Sequence, residues 1–340
     1  MRKMREIVFP FLTAFSLLGC SALAQTFYVG SCHTGSFPTI SSAVNSSSVP
    51  AGSTIRVCPG TYVEQLVITK SLTLQGITSS GSDAATIVGS ITDSSLLDYL
   101  GMLNRPSVLV EGATVNLTNI NIIANYTDTS CSTIITGIFY ASGGSGTVNH
   151  VNMSILPTVT PGCLASVGIW AENENIDLTT VTIQNSTFEV LDQGIWAHSG
   201  QLPGFAPVLS LTATSNQIFG APSSGNGVYV SQATGTISSN VMAVGDMGVN
   251  LDTNAYILVT NNTIDGFYGA YVQQPKPTIT NNKIRAYIGI DFLCNAGTVT
   301  GNIFMGGWGA MDSTGLYFIP VGFSGTNTFY NVMTPQGSGC

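Results

Sequence analysis

The sequence predicts an all-β solenoid in which short strands from successive repeats stack in parallel, coil upon coil. Three observations carry this. A five-residue pattern that begins with Gly recurs from residue 137 onward. A second pattern, built on Asn, precedes most of its later copies. The apolar runs between them hold three to five alternating residues, too few for helices.

The N-terminal residues read as an export signal. Arg2, Lys3 and Arg5 form a basic start, and Ile7 to Leu18 is apolar but short for a bilayer span. "ALA" at 22–24 suits cleavage before Gln25, the favoured reading. "LLGC" at 17–20 resembles a bacterial lipobox that would make Cys20 a lipidated first residue. No later apolar span is long enough for a transmembrane helix. The mature chain is expected outside the cell or in a periplasm. Next, "FPTISSAVNSSS" sets Ile40, Ala43 and Val44 at helical spacing. A short amphipathic helix there would cover the open end of the first coil, which is otherwise a sticky edge.

The repeat itself reads "GIFYA" from Gly137, "GIWAE" from Gly168, "GIWAH" from Gly194 and "GVYVS" from Gly227. It continues as "GVNLD" from Gly248, "GAYVQ" from Gly269, "GIDFL" from Gly289 and "GAMDS" from Gly309, at spacings of 31, 26, 33, 21, 21, 20 and 20 residues. The companion stretches "ATSNQI", "ISSNVM", "VTNNTI", "ITNNKI" and "VTGNIF" carry Asn216, Asn240, Asn262, Asn282 and Asn302. An Asn at one fixed place suits a left-handed turn residue or a side-chain amide ladder. One repeat cannot bury its own apolar face, so neighbours must stack, with strands about 4.8 Å apart. After Gly309 the pattern fades into a Gly/Ser tail, a closing cap. The expected divisions are signal peptide 1–24, strand and cap helix 25–50, β-helix 51–322 and cap or tail 323–340.

This pattern closely resembles the single-stranded right-handed parallel β-helix of the pectin lyase-like superfamily, over most of residues 50–330. "GSTIRVCPGTYVEQLVITKSLTLQG" (52–76) resembles the opening segment of pectin methylesterases and of many secreted β-helix proteins. The resemblance implies a fold, not an activity. The aspartate segments of pectin methylesterases are not found, nor is the "NTD", "DD" and "GHG" pattern of polygalacturonases or the "WIDH" of pectate lyases.

Composition narrows the partners. Only 8% of residues are charged, against about a quarter in ordinary domains, while 44% are hydrophobic. A net charge of −8 argues against nucleic acid and anionic membranes and leaves a polysaccharide or cell-surface glycan as the expected partner of a monomer. Without Cys20, six cysteines remain, an even set that suggests disulfides in an exported chain. Cys131 and Cys163 hold nearly the same place in successive coils. Cys32–Cys58 and Cys294–Cys340 are paired on proximity in sequence; all six could instead be small core residues. The Asn-x-Ser/Thr sequons read as composition in an Asn- and Thr-rich repeat.

In "QGIWAHSG" (193–200), Ile195 and Ala197 point inward, so Trp196 and His198 look outward. The same position in other repeats holds Phe139, Trp170, Tyr229, Asn250, Tyr271 and Asp291. Stacked, Phe139, Trp170, Trp196, Tyr229 and Tyr271 form an aromatic column suited to the C–H faces of sugar rings. Packing alone also builds such ladders. Insertions before Gly227, among them "SGQLPGFAPV", point to the Trp170–His198 region as the place to look for a site. For an enzyme, a lyase or hydrolase, Glu172 beside His198 offers acid–base chemistry, with Asp252 a further candidate. Asp192 and Asp246 would match the wider carboxylate spacing of inverting hydrolysis. His33, His150 and His198 are scattered and the Met residues form no ligand motif, so neither a metal nor a cofactor is expected. The leading expectation is polysaccharide recognition; the alternatives are a carbohydrate-active enzyme and a passive surface or adhesive protein.

Overall fold

The computed structural model describes residues 25–332 except 79–84, 90–95, 98–102, 125–126, 129–132, 156–157, 160–165, 175–176, 191, 201–205, 223–224, 274–276, 293–296 and 307–325. The export signal, Cys20 and the pairings expected for Cys131–Cys163 and Cys294–Cys340 lie outside the described residues. So does part of the "SGQLPGFAPV" insertion.

Twenty-eight strands join in one hydrogen-bonded network. Among the described residues its ladders are parallel, apart from the short Leu96–Leu97 strand against Leu103–Glu111. The register follows the sequence repeat residue for residue. Ile138, Ile169, Ile195, Val228, Val249, Ala270 and Ile290 stack in one inward column. Tyr140, Ala171, Ala197, Val230, Leu251, Val272 and Phe292 stack in the next. All of these are buried, and with the other inward faces they form one continuous core along the solenoid axis. The fold is therefore a parallel β-helix, as the repeat predicts.

The repeat glycines are required by space. None of Gly137, Gly168, Gly194, Gly227, Gly248 and Gly269 has a positive φ. A Cβ on any of them, however, would lie 2.3–2.7 Å from the carbonyl oxygen of the equivalent Gly one coil on. It would also meet a core side chain, such as Ile218 for Gly194 or Ile264 for Gly248. These core residues follow the repeat Asn by two positions, so the two sequence patterns interlock.

Of the two roles expected for the repeat Asn, the structure shows the amide ladder, and the left-handed geometry falls on the residue before it. Asn216, Asn240, Asn262, Asn282, Asn302 and Asn327 form an amide ladder, each Nδ2 donating to the next Oδ1 at 2.9–3.0 Å. Each next Oδ1 also accepts the backbone N–H of the preceding ladder Asn. The left-handed residue is the one just before: Ser215, Ser239, Asn261, Asn281 and Gly301 all have positive φ. The ladder turns a buried corner while leaving its polar groups satisfied.

At the N-terminus the cap helix is Ile40–Val44, with Ile40, Ala43 and Val44 buried as their spacing predicts. Thr39 caps it, and Glu64 accepts from the Ile40 and Ser41 amides at 2.9 and 2.8 Å. Lys70 Nζ donates to the Ser46 and Val49 carbonyls. The "YVEQLVITK" segment thus clamps the helix from both ends. Cys32–Cys58 is a disulfide with Cα atoms 5.6 Å apart, as expected.

Candidate functional site

The outward face of the Gly-containing strands carries the aromatic column. Parallel register aligns Leu109, Phe139, Trp170, Trp196, Tyr229, Asn250, Tyr271 and Asp291 in that order. Trp170 and Trp196 stack with ring centroids 4.7 Å apart and planes 3° from parallel. Phe139 tilts against Trp170 at 5.6 Å, and Tyr229 against Trp196 at 5.0 Å.

The column is not uniformly open. Phe139 and Trp170 are 2% and 0% exposed. With Leu109, Ile134 and Val167 they make a second hydrophobic cluster outside the coil, against which Trp196 packs. This corrects the expectation of one continuous platform: Phe139 and Trp170 are closed to a ligand and act as packing. Trp196, Tyr229 and Tyr271 are half-buried and present part of each ring to solvent. The accessible stretch thus begins at Trp196.

The polar column beside it is aligned as the repeat implies, with Glu172, His198 and Ser231 in register. Glu172 and His198 are only 6% and 8% exposed. Burial pushes the His198 pKa down to about 4, against an opposing pull from Asp252. Its imidazole is neutral at neutral pH. Asp252 is held firmly: Oδ2 accepts from the Tyr229 hydroxyl at 2.6 Å, and Oδ1 from the Thr253 amide and hydroxyl at 2.7 and 3.1 Å. Asp192 Oδ2 accepts from the Ser166 amide at 3.0 Å, and the Asp192 amide donates back to the Ser166 hydroxyl at 3.1 Å. These contacts tie two coils together. Asp192 and Asp246 stand two coils apart, with the Gly225 segment bonded between them.

A second aromatic group adjoins the column further on. Each repeat Gly and the residue after it both face the core. The alternation therefore breaks there, and the residue before the Gly returns to the outward side. Tyr268 uses this break and sits edge-on to Tyr271 at 5.9 Å. Phe267 stacks on Tyr287 of the next coil at 5.0 Å, and both are exposed. Burial, Asp291, Asp246 and Tyr271 all raise the Tyr268 phenol pKa, so it stays protonated. Burial also raises the carboxyl of Asp246. Counting alternation forward from each Gly missed Phe267, Tyr268 and Tyr287; the aromatic residues of "DGFYG" (265–269) and "RAYIG" (285–289) were the available signal.

Two shallow grooves lie on other faces, one lined by Asn121, Ile123, Asn152 and Glu189, the other by Val241, Thr263, Lys283 and Arg285. Among the described residues no group of three His, Cys, Asp or Glu side chains is placed to hold a metal ion. No described helix is long and apolar enough to cross a membrane.

Residues 167–331 match the family described as a right handed beta helix region. Among solved structures the chain is similar to the pectin methylesterase PemA from Erwinia chrysanthemi, at 14% identity and TM-score 0.38 over 79% of this chain and 81% of that one. It is also similar to PfbA, a surface adhesin of Streptococcus pneumoniae, at 13% identity and TM-score 0.43 over 84% and 85% of the two chains. Likeness at this level transfers neither activity nor ligand. No curated protein sequence matches the chain. The family match over residues 167–331, with parallel pairing that runs from Thr26 to Tyr330, identifies the fold as a right-handed parallel β-helix.

Proposed function

We propose that the chain recognises polysaccharide through the accessible part of its outward aromatic face: Trp196, Tyr229 and Tyr271, joined by Tyr268. The observation that carries this reading is the change along the column from closed packing at Phe139 and Trp170 to partly exposed rings at Trp196, Tyr229 and Tyr271. Flat rings at successive coil steps suit the C–H faces of consecutive sugar units. Asp252, fixed by three hydrogen bonds, adds an oriented acceptor for hydroxyls. In this reading the protein acts outside the cell or at its surface.

An enzymatic reading rests on a different observation. Asp246 has a raised carboxyl pKa and lies with Asp291 near the Tyr268 phenol, an acid–base grouping beside the same rings. Of the residues first singled out for catalysis, Glu172 and His198 are buried, Asp192 bridges coils and Asp252 orients Tyr229. That distribution favours binding. The test is co-sedimentation of the mature protein with a panel of insoluble polysaccharides, comparing wild type with Trp196→Ala and Tyr271→Ala. At least a tenfold weaker association of both variants, with supernatants free of reducing ends and unsaturated sugar, is expected. Release of either product moves the enzymatic reading first. No association with any polysaccharide removes both and leaves a structural surface protein.

A further inference from the structure

The charge around this face says which glycans it admits. Between Pro106 and Pro275 the sequence has no Lys or Arg, yet it has Glu111, Asp128, Glu172, Glu174, Asp177, Glu189, Asp192, Asp246, Asp252 and Asp265. The rings from Trp196 to Tyr271 fall inside this cation-free stretch. Asp252 bonds the Tyr229 hydroxyl, and Asp291 follows Tyr271 in register. Burial, and with it the Asp291 and Asp246 carboxylates, raises the neighbouring Tyr268 phenol. The nearest described cation in sequence, Lys283, lies in the groove shared with Val241 and Thr263; Arg285 is ion-paired to Asp265. Lys276 lies outside the described residues.

A polyuronate or sulfated chain laid along these rings would bring a negative charge with every acidic sugar. It would meet the half-buried Asp246 and Asp252 carboxylates with no guanidinium or ammonium among the described residues of this face to pair with. Like charges brought together at such a face repel, and no ion pair forms to offset that cost. Calcium is the usual way to bridge two sets of carboxylates, but no three-ligand group is assembled among the described residues. Neutral sugars meet the opposite situation: their hydroxyls donate to the carboxylates while their C–H faces stack on the rings.

Building on the glycan-binding reading, we infer that the ligand class of this face is a neutral polysaccharide, and that acidic polysaccharides are excluded by charge. Affinity electrophoresis of the full mature chain tests this in native gels containing hydroxyethylcellulose, galactomannan, arabinoxylan, polygalacturonate or alginate. The acidic polymers are run with and without calcium. Retardation is expected in at least one neutral gel and in neither acidic gel. The neutral retardation should change less than twofold between about 0.05 and 0.5 M salt, because it holds no ion pairs to screen. Retardation by polygalacturonate or alginate, with or without calcium, overturns this inference but leaves glycan binding standing. A polygalacturonate retardation that Lys276→Gln abolishes does the same and identifies the missing cation. Retardation in no gel overturns glycan binding itself, and this inference with it.

Discussion

Replacing Asn262 with Ala removes one rung from the middle of the buried amide ladder. Its Oδ1 accepts from the Asn240 amide at 2.9 Å and from Asn240 Nδ2 at 3.0 Å. Its Nδ2 donates to the carbonyls of Ile237 and Thr260 at 2.9 and 3.1 Å and to Asn282 Oδ1 at 2.9 Å. Some partners keep a second bond: Asn240 Nδ2 still reaches the Ala213 carbonyl, and Asn282 Oδ1 still accepts from the residue-262 amide. The Asn240 amide loses its acceptor and the Ile237 carbonyl loses a donor, at a site 1% exposed. A buried polar group stripped of its partner costs about 1–3 kcal/mol, so the expected loss is about 3 kcal/mol. The last rung, Asn327, is half-buried and has water available, so Asn327→Ala should cost about 1 kcal/mol. Equilibrium denaturation in guanidinium, followed by far-UV circular dichroism, measures both against Thr263→Ala, an exposed neighbour expected to stay within about 0.5 kcal/mol of wild type. Asn262→Ala indistinguishable from Thr263→Ala, or no costlier than Asn327→Ala, refutes the ladder as a source of stability.

Three other substitutions probe separate parts of the fold. Gly194→Ala places a Cβ 2.6 Å from the Gly227 carbonyl oxygen and from Ile218 Cγ2, and should destabilise by about 1–3 kcal/mol in the same denaturation experiment. His198 has a folded-state pKa of about 4, below its unfolded value near 6.5. The unfolded chain therefore takes up the proton first, and stability present above pH 6.5 is lost as pH falls through about 4. At about 1.4 kcal/mol per pKa unit the loss is at most about 3.5 kcal/mol, and a His198→Gln variant should show a flatter stability profile across that window. Glu64→Ala removes the acceptor for the Ile40 and Ser41 amides; faster hydrogen exchange at residues 40–45 and a loss of about 1–3 kcal/mol are expected.

The sequence shows the architecture because a solenoid writes its geometry as a period. The repeat glycines from Gly137 to Gly269 stand where the backbone of the next coil leaves no room for a Cβ, and Asn216, Asn240, Asn262, Asn282 and Asn302 where a corner is buried. Both constraints recur together in the coils from Asn216 onward, so spacing alone reveals them there. The cap helix is legible for a similar reason, since three buried residues at helical spacing mark its inner face. The site is less legible. Register places Trp170 and Trp196 side by side, but whether a ring is open depends on what packs over it. Register puts Leu109 in the same column, but that Ile134 and Val167 close over Phe139 and Trp170 is a matter of side-chain packing, which spacing does not report. Phe267, Tyr268 and Tyr287 escaped because the chain breaks alternation at the repeat Gly, a backbone feature without a residue pattern of its own. The buried state of Glu172 and His198 is likewise a property of the assembled face, not of "GIWAE" or "GIWAH".

In the proposed function the open part of the aromatic column, and not its closed part, meets the ligand. The most direct test is affinity electrophoresis in the best-binding neutral polysaccharide, comparing wild type, Trp196→Ala, Tyr271→Ala and Trp170→Phe, each checked for a native circular dichroism spectrum. Trp196→Ala and Tyr271→Ala should lose most of the retardation while Trp170→Phe, altered only inside the closed cluster, retains it. Equal retardation of all four proteins, or loss in Trp170→Phe with the other two unaffected, contradicts it.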